Sequence, residues 1–584
     1  MPHVLVVGAG HAGIEAALAA HRRGAQVTVV TGARHGIGLT PCNPAVGGVA
    51  KGHLVAEIEA MGGFIGRAAD RAGIHARVLN RSKGPAVWGT RVQVDKRRYA
   101  EHARRTLESA PGLRLVEALV ADLEVRGGRI VGVRLEDGTE IPAEAVVVTT
   151  GTFLRGRLHV GHESRPGGRT GEAPATRLAE ALVRLGFRTQ RLKTGTPPRI
   201  DRASVAFGGL EVQPGEVPTP GFSLPLTPAP PRLPQLNCHL TWTNSDTHAV
   251  IEANLSASAM YGGRIVGRGP RYCPSIEDKV VRFPHRGRHQ VFLEPEGLDS
   301  DWIYPNGIST SLPPDVQERF VRTIPGLERA RIVQPGYAVE YDAVDARQLD
   351  HRLAARHVEG LFFAGQVNGT SGYEEAAAQG LVAGAGAAAY VLGAEPLVLS
   401  RRDAYIGVLV DDLVTQGCDE PYRMFTARAE YRILLREDNA DERLEERAFA
   451  LGLVDEARVE IGRRRREIVE RAYARLRAGV EPDAPAWARM RAEARRVYAG
   501  YVDKLERDLA RIEGRRGANL EIPADIDYFA LPGLSREAAE RLDAVRPATT
   551  AQAGRIPGLS PGALASLWAH VRKRRMATAG GKSP

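Results

Sequence analysis

Apolar positions near the start of the chain fall in short continuous runs, each closed by glycine. Val4-Leu-Val-Val7 reads as a buried strand and Gly8-Ala-Gly10-His-Ala-Gly13 as a tight turn. Ile14 to Arg23 reads as an Ala-rich helix and Val27 to Val30 as the next strand. The pattern is a βαβ unit with GxGxxG between strand and helix, where glycines let the backbone approach a pyrophosphate seated on the helix N-terminus. The second strand ends in Thr31, where an acidic residue would hold the ribose of NAD, so a flavin suits this site better than a nicotinamide. Two later runs, 145–154 and 360–365, read as further strands of the same sheet. The second leads through Gln366 to a helix beginning near Gly372. In two-nucleotide flavoproteins such a helix N-terminus faces the flavin and stabilises negative charge on the reduced ring. An ordinary βα unit would show the same pattern.

Residues 214–234 hold eight prolines, too many for a helix or a central strand, and border an inserted subdomain from about 200 to about 275. After Pro396 the strand-like runs fade. Amphipathic Arg/Glu-rich patterns at 441–451 and 458–477 predict an α-helical C-terminal domain. Within it Leu531-Pro-Gly-Leu-Ser535 recurs as Ile556-Pro-Gly-Leu-Ser560, each serine placed to cap a following helix.

Composition narrows the function classes. The 584 residues suffice for several domains without disulfide staples. No apolar run reaches the length of a membrane span; the Ala-rich stretch 376–394 is interrupted by Gln379 and four glycines. Met-Pro-His lacks a basic leader region, and the four cysteines are widely scattered, which suits a reducing cytoplasm. Their spacing excludes a CxxC redox pair and the usual four-cysteine zinc site. The net charge of +10 permits a nucleic-acid partner without requiring one. Arginines outnumber lysines 71 to 8, so a retained lysine marks a place for a compact ammonium.

Two cysteines share a local pattern. Cys42 precedes Asn43-Pro44, and Cys273 precedes Pro274-Ser275. Proline at a first helical position would put each thiol at a helix N-terminus, where the thiolate is favoured. A small buried hydrophobe is the ordinary alternative for either. Gly/Pro-rich segments around Lys51, Lys83, Gly167–Glu172 and Lys193–Arg199 offer backbone amides beside cations, the makings of anion nests. In the helical region Arg423, Arg428 and Arg432 interleave with Tyr422, Phe425 and Tyr431. That suits phosphates and stacked bases of RNA, or equally a solvated helix face over an aromatic core stripe.

These motifs, among them GAGHAGIEAA, CNPAVGGVAKGHLV, LKTGTPPR, GPRYCPSIEDKVVRFP, LFFAGQVNGTSGYEEAAAQG and EPYRMFTARAEYR, resemble from end to end the MnmG (GidA) family of tRNA wobble-uridine-modifying flavoproteins. The resemblance implies an α/β fold: a Rossmann-like FAD-binding domain (1–200 and 275–396), an inserted NADH-associated subdomain (201–274) and an α-helical C-terminal domain (397–584) for a GTPase partner and tRNA. It implies that Gly8, Ala9, Gly10, His11, Ala12 and Gly13 cradle the FAD pyrophosphate, and that Val120, Ala175 and Gln366 line the cofactor. Gly269, Pro270, Arg271, Tyr272, Pro274, Ser275, Ile276, Glu277, Asp278, Lys279 and Phe283 are the implied NADH segment, and Cys42 and Cys273 the catalytic thiols. Methylenetetrahydrofolate as one-carbon donor, the GTPase MnmE, a homodimer and a heterotetramer with the GTPase belong to the same implication. Lys51, Lys83, Lys193, Arg423, Arg428 and Arg432 are candidate anion or substrate contacts; no metal is expected. The chain departs from the family at Cys418, Ala427 and Ala175, leaving any contact of Ala175 to its backbone. Folate- and FAD-dependent tRNA uracil-5-methyltransferases share the flavin domain but lack a long helical tail. A generic NADH-dependent flavin reductase and a scaffold with a structural flavin are more distant alternatives.

Overall fold

The computed structural model describes residues 2–223, 226, 231–270, 274–515 and 519–580. Its centre is a five-stranded parallel sheet in the order Leu361–Phe363, Ala145–Val148, His3–Val7, Gln26–Thr31, Leu113–Glu117. The strands are near-continuous apolar runs because helices cover the sheet and bury it. The first helix, His11–Arg22, packs along the later Ala-rich helix Tyr373–Leu392. Their composition follows from that contact. A Cβ on Gly380 would lie 2.1 Å from Ala12 O, and one on Gly384 2.2 Å from Ala16 O, so the backbones touch and only glycine fits.

The sequence boundary of the insertion at 274 falls inside a larger unit. A six-stranded sheet in the order Glu211–Gln213, Cys238–Trp242, Gln290–Pro295, Trp302–Asn306, Arg199–Asp201, Ile332–Gln334 runs on to residue 334. It has its own core, with Ile200, Ile251, Val291, Leu293, Ile303 and Phe320. A four-stranded antiparallel sheet, including Thr189–Thr196 paired with Tyr337–Val344, joins this unit to the parallel sheet.

The boundary at 397 also differs from the packing. Helices Tyr405–Gln416 and Ala440–Ala450 bury Tyr405, Leu409, Leu413 and Leu444 in the same core as the parallel sheet. Buried Glu57 fastens them: it accepts from Tyr405 N (2.9 Å) and Ile406 N (3.0 Å) at a helix N-terminus, with Arg443 at 3.0 Å. Helices Glu456–Arg477 and Ala486–Arg515 then pair. A separate terminal core follows, built on Leu520, Ile526, Tyr528, Leu542, Ile556 and Leu567. Both repeat serines cap helices as their sequence suggests, Ser535 accepting from Ala538 N and Ser560 from Ala563 N. Among the described residues no helix is long and apolar enough to cross a membrane.

Candidate functional site

A cavity of about 710 Å³ opens at the C-terminal ends of the parallel strands, within the usual range for a ligand site. The turn Gly8–Ala12, residues 30–33 after the second strand, 149–153 after Ala145–Val148 and 364–366 after the last strand form its wall. Gly8 has φ of +103°, and a Cβ on Gly13 would sit 1.9 Å from Gly8 O, so these two glycines shape the turn. Gly10 has nothing within 4 Å of its missing Cβ and leaves its side open to a ligand. Buried His11 Nε2 and Thr150 Oγ1, both on cavity-lining residues, have no hydrogen-bond partner among the described residues. Burial pushes the His11 imidazole down to about 4, so it is neutral at pH 7. Open glycine backbone, orphaned polar atoms and a helix N-terminus fit a dinucleotide such as FAD.

Gly8, Ala9, Gly10, His11, Ala12, Val120, Ala175 and Gln366 all line this cavity, as do Gly47, Thr194–Thr196 and the Arg169–Glu172 pair. Gly13 stands behind the wall as a packing glycine. The N-terminus of helix Tyr373–Leu392 reaches the cavity through Gly372, Tyr373 and Glu374. Lys51 lies here too, 2.7 Å from Glu374 and 3.4 Å from Glu375. Burial works against the Glu374 charge, but the Lys51 ammonium holds its carboxyl below the ordinary range. Glu374 also accepts from Gly47 N at 2.7 Å, fixing the Gly47-Gly48 turn.

Cys42 lines the same cavity, but its surroundings differ from the sequence expectation. Pro44 starts no helix. A short strand, Ala45–Gly47, follows and pairs with Gly89–Val94, and the helix begins at Lys51. The Pro41–Asn43 loop is instead clamped from three sides. Cys42 N donates to Tyr373 Oη (2.9 Å), Arg91 donates to Asn43 Oδ1 (3.2 Å), and Arg199 donates to Pro41 O. Both arginines are anchored on buried carboxylates, Arg91 on Glu294 (2.7 Å) and Arg199 on Glu296 (2.7 Å). Tyr373 stacks on His11 with centroids 4.5 Å apart. Sequence reasoning missed Tyr373, Arg91 and Arg199 as site residues. Tyr373 and Arg199 stand in segments whose motifs were recognised, but nothing local marks them as holding Cys42.

The other candidates disperse. Arg271, Tyr272 and Cys273 lie outside the described residues, so the second thiol has no position here. Pro270 lines the cavity, while Gly269 packs against the Lys193 side chain. Pro274 is half-buried ahead of helix Ile276–Arg282, which Ser275 caps. The residues from 275 on belong to the second unit. Ile276 is core; Glu277 accepts from Ser258 Oγ (3.1 Å) and Ser311 N (3.0 Å); Asp278 accepts from Tyr261 Oη (3.1 Å). Lys279 donates to Gly307 O (2.6 Å), and Phe283 is exposed. Lys193 is buried with Met260 Sδ 3.6 Å from its ammonium, and Lys83 is exposed in a 3₁₀ turn outside the cavity. The aromatic-arginine segment is no helix face: it is irregular with one 3₁₀ turn, Thr426–Arg428. Arg423 lines the cavity, Arg428 lies 4.1 Å above the buried Tyr422 ring and 3.7 Å from Asp412, and Arg432 is exposed. Cys238 and Cys418 are structural thiols, each pushed up to about 12 by burial.

A family model described as glucose inhibited division protein A matches residues 3–395, and one described as the tRNA modifying enzyme MnmG/GidA C-terminal helical bundle matches residues 510–583. Among solved structures, the chain is similar to GidA of Aquifex aeolicus in two crystal forms. In form II the identity is 41% over 97% of this chain and 98% of that one, with a TM-score of 0.90. In form I it is 43% over 97% and 99%, with a TM-score of 0.91.

Proposed function

Because the chain belongs to the glucose inhibited division protein A (MnmG/GidA) family, we propose that its large cavity holds FAD and that the clamped Cys42 works beside it on the tRNA wobble uridine. The protein is a flavin-dependent tRNA-modifying enzyme acting at that uridine. In our reading NADH reduces the flavin, methylenetetrahydrofolate supplies the one-carbon unit, and an aminomethyl-type or carboxymethylaminomethyl group is placed at carbon 5. The GTPase MnmE is the proposed partner, in a heterotetramer with a homodimer of this chain, in the cytoplasm. The observation that carries the reading is the meeting, in one cavity, of the glycine turn Gly8–Ala12 and a cysteine whose loop is held by three separate elements.

Carbon 5 of uracil is a poor nucleophile. A thiolate adding at carbon 6 makes an enolate that attacks an electrophile; a base then takes the carbon-5 proton, the bond between sulfur and carbon 6 breaks, and the C5–C6 double bond and the free thiolate are restored. Cys273 is assigned the addition and Cys42 the acid/base or alternate nucleophilic role. Bound reduced flavin supplies hydride. The protein's own part is to hold it: Gly8–Ala12 would contact the pyrophosphate, Val120, Ala175 and Gln366 would line the cofactor, and His11, neutral, would offer Nε2. Tyr373, Arg91 and Arg199 keep the Cys42 loop in place.

Nucleoside analysis of tRNA from cells lacking the protein tests the reading. The modified wobble uridine should disappear and return with the wild-type gene, but not with Cys42→Ser. Loss of 5-methyluridine with an intact wobble profile would point to the uracil-5-methyltransferase instead. The purified protein should be yellow and bleach on adding NADH.

A further inference from the structure

The sequence Arg282-Phe-Pro-His-Arg-Gly-Arg-His289 carries three arginines, two histidines and no carboxylate. Residues 282–288 are exposed, in the stretch between helix Ile276–Arg282 and strand Gln290–Pro295. The rings and guanidinium groups pair with one another. Arg288 lies 4.3 Å above the half-buried Trp242 ring, and Arg286 lies 5.5 Å above Phe283, itself 40% exposed. Among the described residues neither Arg286 nor Arg288 has a carboxylate within ion-pair distance, although Arg282 is 3.7 Å from Asp278. An arginine stacked on a ring keeps its N–H edge available for an anion, and it presents a flat cation to a base.

The patch lies next to the cavity. Trp242 pairs with Gln290 across adjacent strands, and further along the same strand Phe292 pairs with Asn306, which lines the cavity. Strands lie about 4.8 Å apart and advance about 3.4 Å per residue, so Arg288 is on the order of 10–15 Å from that wall. Lys279 ties the preceding helix to the turn after Asn306 through Gly307 O, which fixes the patch relative to the cavity.

We propose that Arg286 and Arg288, with the Trp242 and Phe283 rings, form a docking surface for the single-stranded anticodon loop whose uridine enters the cavity. This rests on the tRNA-modifying reading of the cavity and adds where the loop is gripped. Two cations without carboxylate partners, one beside the exposed Phe283 ring and one over the half-buried Trp242 ring, match the phosphates and unstacked bases of a loop, which a duplex does not present.

The test uses the full-length protein and a synthetic anticodon stem-loop, with affinity measured across a salt series. Each lost phosphate contact on a single strand removes about 0.7 from the slope of log K against log salt. Arg286→Ala with Arg288→Ala should therefore flatten the slope by about 1.4, which is roughly a tenfold loss of affinity at physiological salt. Arg286→Lys with Arg288→Lys should restore the slope but not the full affinity, because an ammonium does not stack. Flavin content and the KM for NADH should not move. Unchanged stem-loop affinity in the alanine pair overturns the proposal. A raised KM for NADH with unchanged stem-loop binding also overturns it and assigns the patch to the dinucleotide. Wild-type protein that binds no tRNA at any salt would instead bring down the reading of the cavity itself.

Discussion

Tyr373→Phe removes one oxygen from the site and nothing else. The ring keeps its stack on His11, 4.5 Å away, and its place at the start of helix Tyr373–Leu392. What goes is the acceptor for Cys42 N, now 2.9 Å from Oη. A neutral hydrogen bond contributes about 0.5–1.5 kcal/mol net, and a buried donor left unpaired costs about 1–3 kcal/mol. Cys42 is half-buried, so water takes part of the role and about 1 kcal/mol is the expected loss. Arg199 and Arg91 still hold Pro41 and Asn43, so the loop loosens at Cys42 without leaving the wall. If turnover follows the position of the thiol, 1 kcal/mol corresponds to about a fivefold fall in kcat, with KM for NADH unchanged. Iodoacetamide labelling followed by mass spectrometry reads the loop directly. Cys42 should alkylate faster in the variant, while Cys238 and Cys418, with thiols pushed up to about 12, serve as unreactive internal controls. Wild-type labelling together with wild-type turnover would refute the positioning role. Loss of flavin in the variant would move Tyr373 from the thiol to the cofactor.

Three further outcomes follow from the same geometry. Gly13→Val places a side chain where even a Cβ is 1.9 Å from Gly8 O, so the Gly8–Gly13 turn must distort; if that turn holds FAD as proposed, the protein should purify without yellow absorbance. Glu437 accepts from Thr90 N at 2.9 Å, and burial pushes its carboxyl up to about 7. Its folded value exceeds the ordinary one, so its contribution is complete below about pH 4.5 and is lost as pH rises through 7. Glu437→Gln should thus raise the melting temperature at pH 8 and flatten its fall between pH 5 and 7; an unchanged profile would show that this carboxyl is ionised throughout. Truncation after Arg515 removes the separate terminal core and the Arg555–Asp411 pair at 2.6 Å. It should abolish GTPase binding in a pull-down and spare flavin, whereas a cut at 396 would strip Tyr405 and Leu409 from the main core.

Four strands of the parallel sheet are readable because their signals are local: apolar runs, a glycine turn and an Ala-rich helix each lie within about twenty residues. The edge strand Leu113–Glu117, none of whose residues is fully buried, carries no such apolar run and is not legible. The insertion was readable only at its proline-rich border. Strands Gln290–Pro295 and Trp302–Asn306 join its sheet through pairing with Cys238–Trp242, and no short window of sequence encodes that partnership. The amphipathic pattern of 441–451 announces a helix but not its partner, which is why a helix of the main core was counted with the tail. Pro44 misled for a similar reason. Ala45 pairs with Gln93, and this distant strand pairing overrides the preference of proline for a helix start.

The arginine–lysine imbalance shows how far residue type reaches toward a site. Lys51, Lys193 and Lys279 each turn a compact ammonium inward, to Glu374, to Met260 Sδ and to Gly307 O, so their retention in an arginine-rich chain did mark tight places. Exposed Lys83 shows that the filter also passes a surface turn. The clamps on Cys42 work by the opposite logic. Arg199 spreads its fork over Glu296, Thr196 Oγ1 (2.9 Å), Pro197 O (2.6 Å) and Pro41 O, and lies 4.7 Å above the Tyr304 ring. An ammonium carries three protons on one nitrogen, against five spread over the three nitrogens of a guanidinium, so lysine at 199 could not meet all four acceptors at the same time. A residue common in the chain therefore does what a rare one could not, and its role becomes visible only when the acceptors, drawn from three segments, are brought around it.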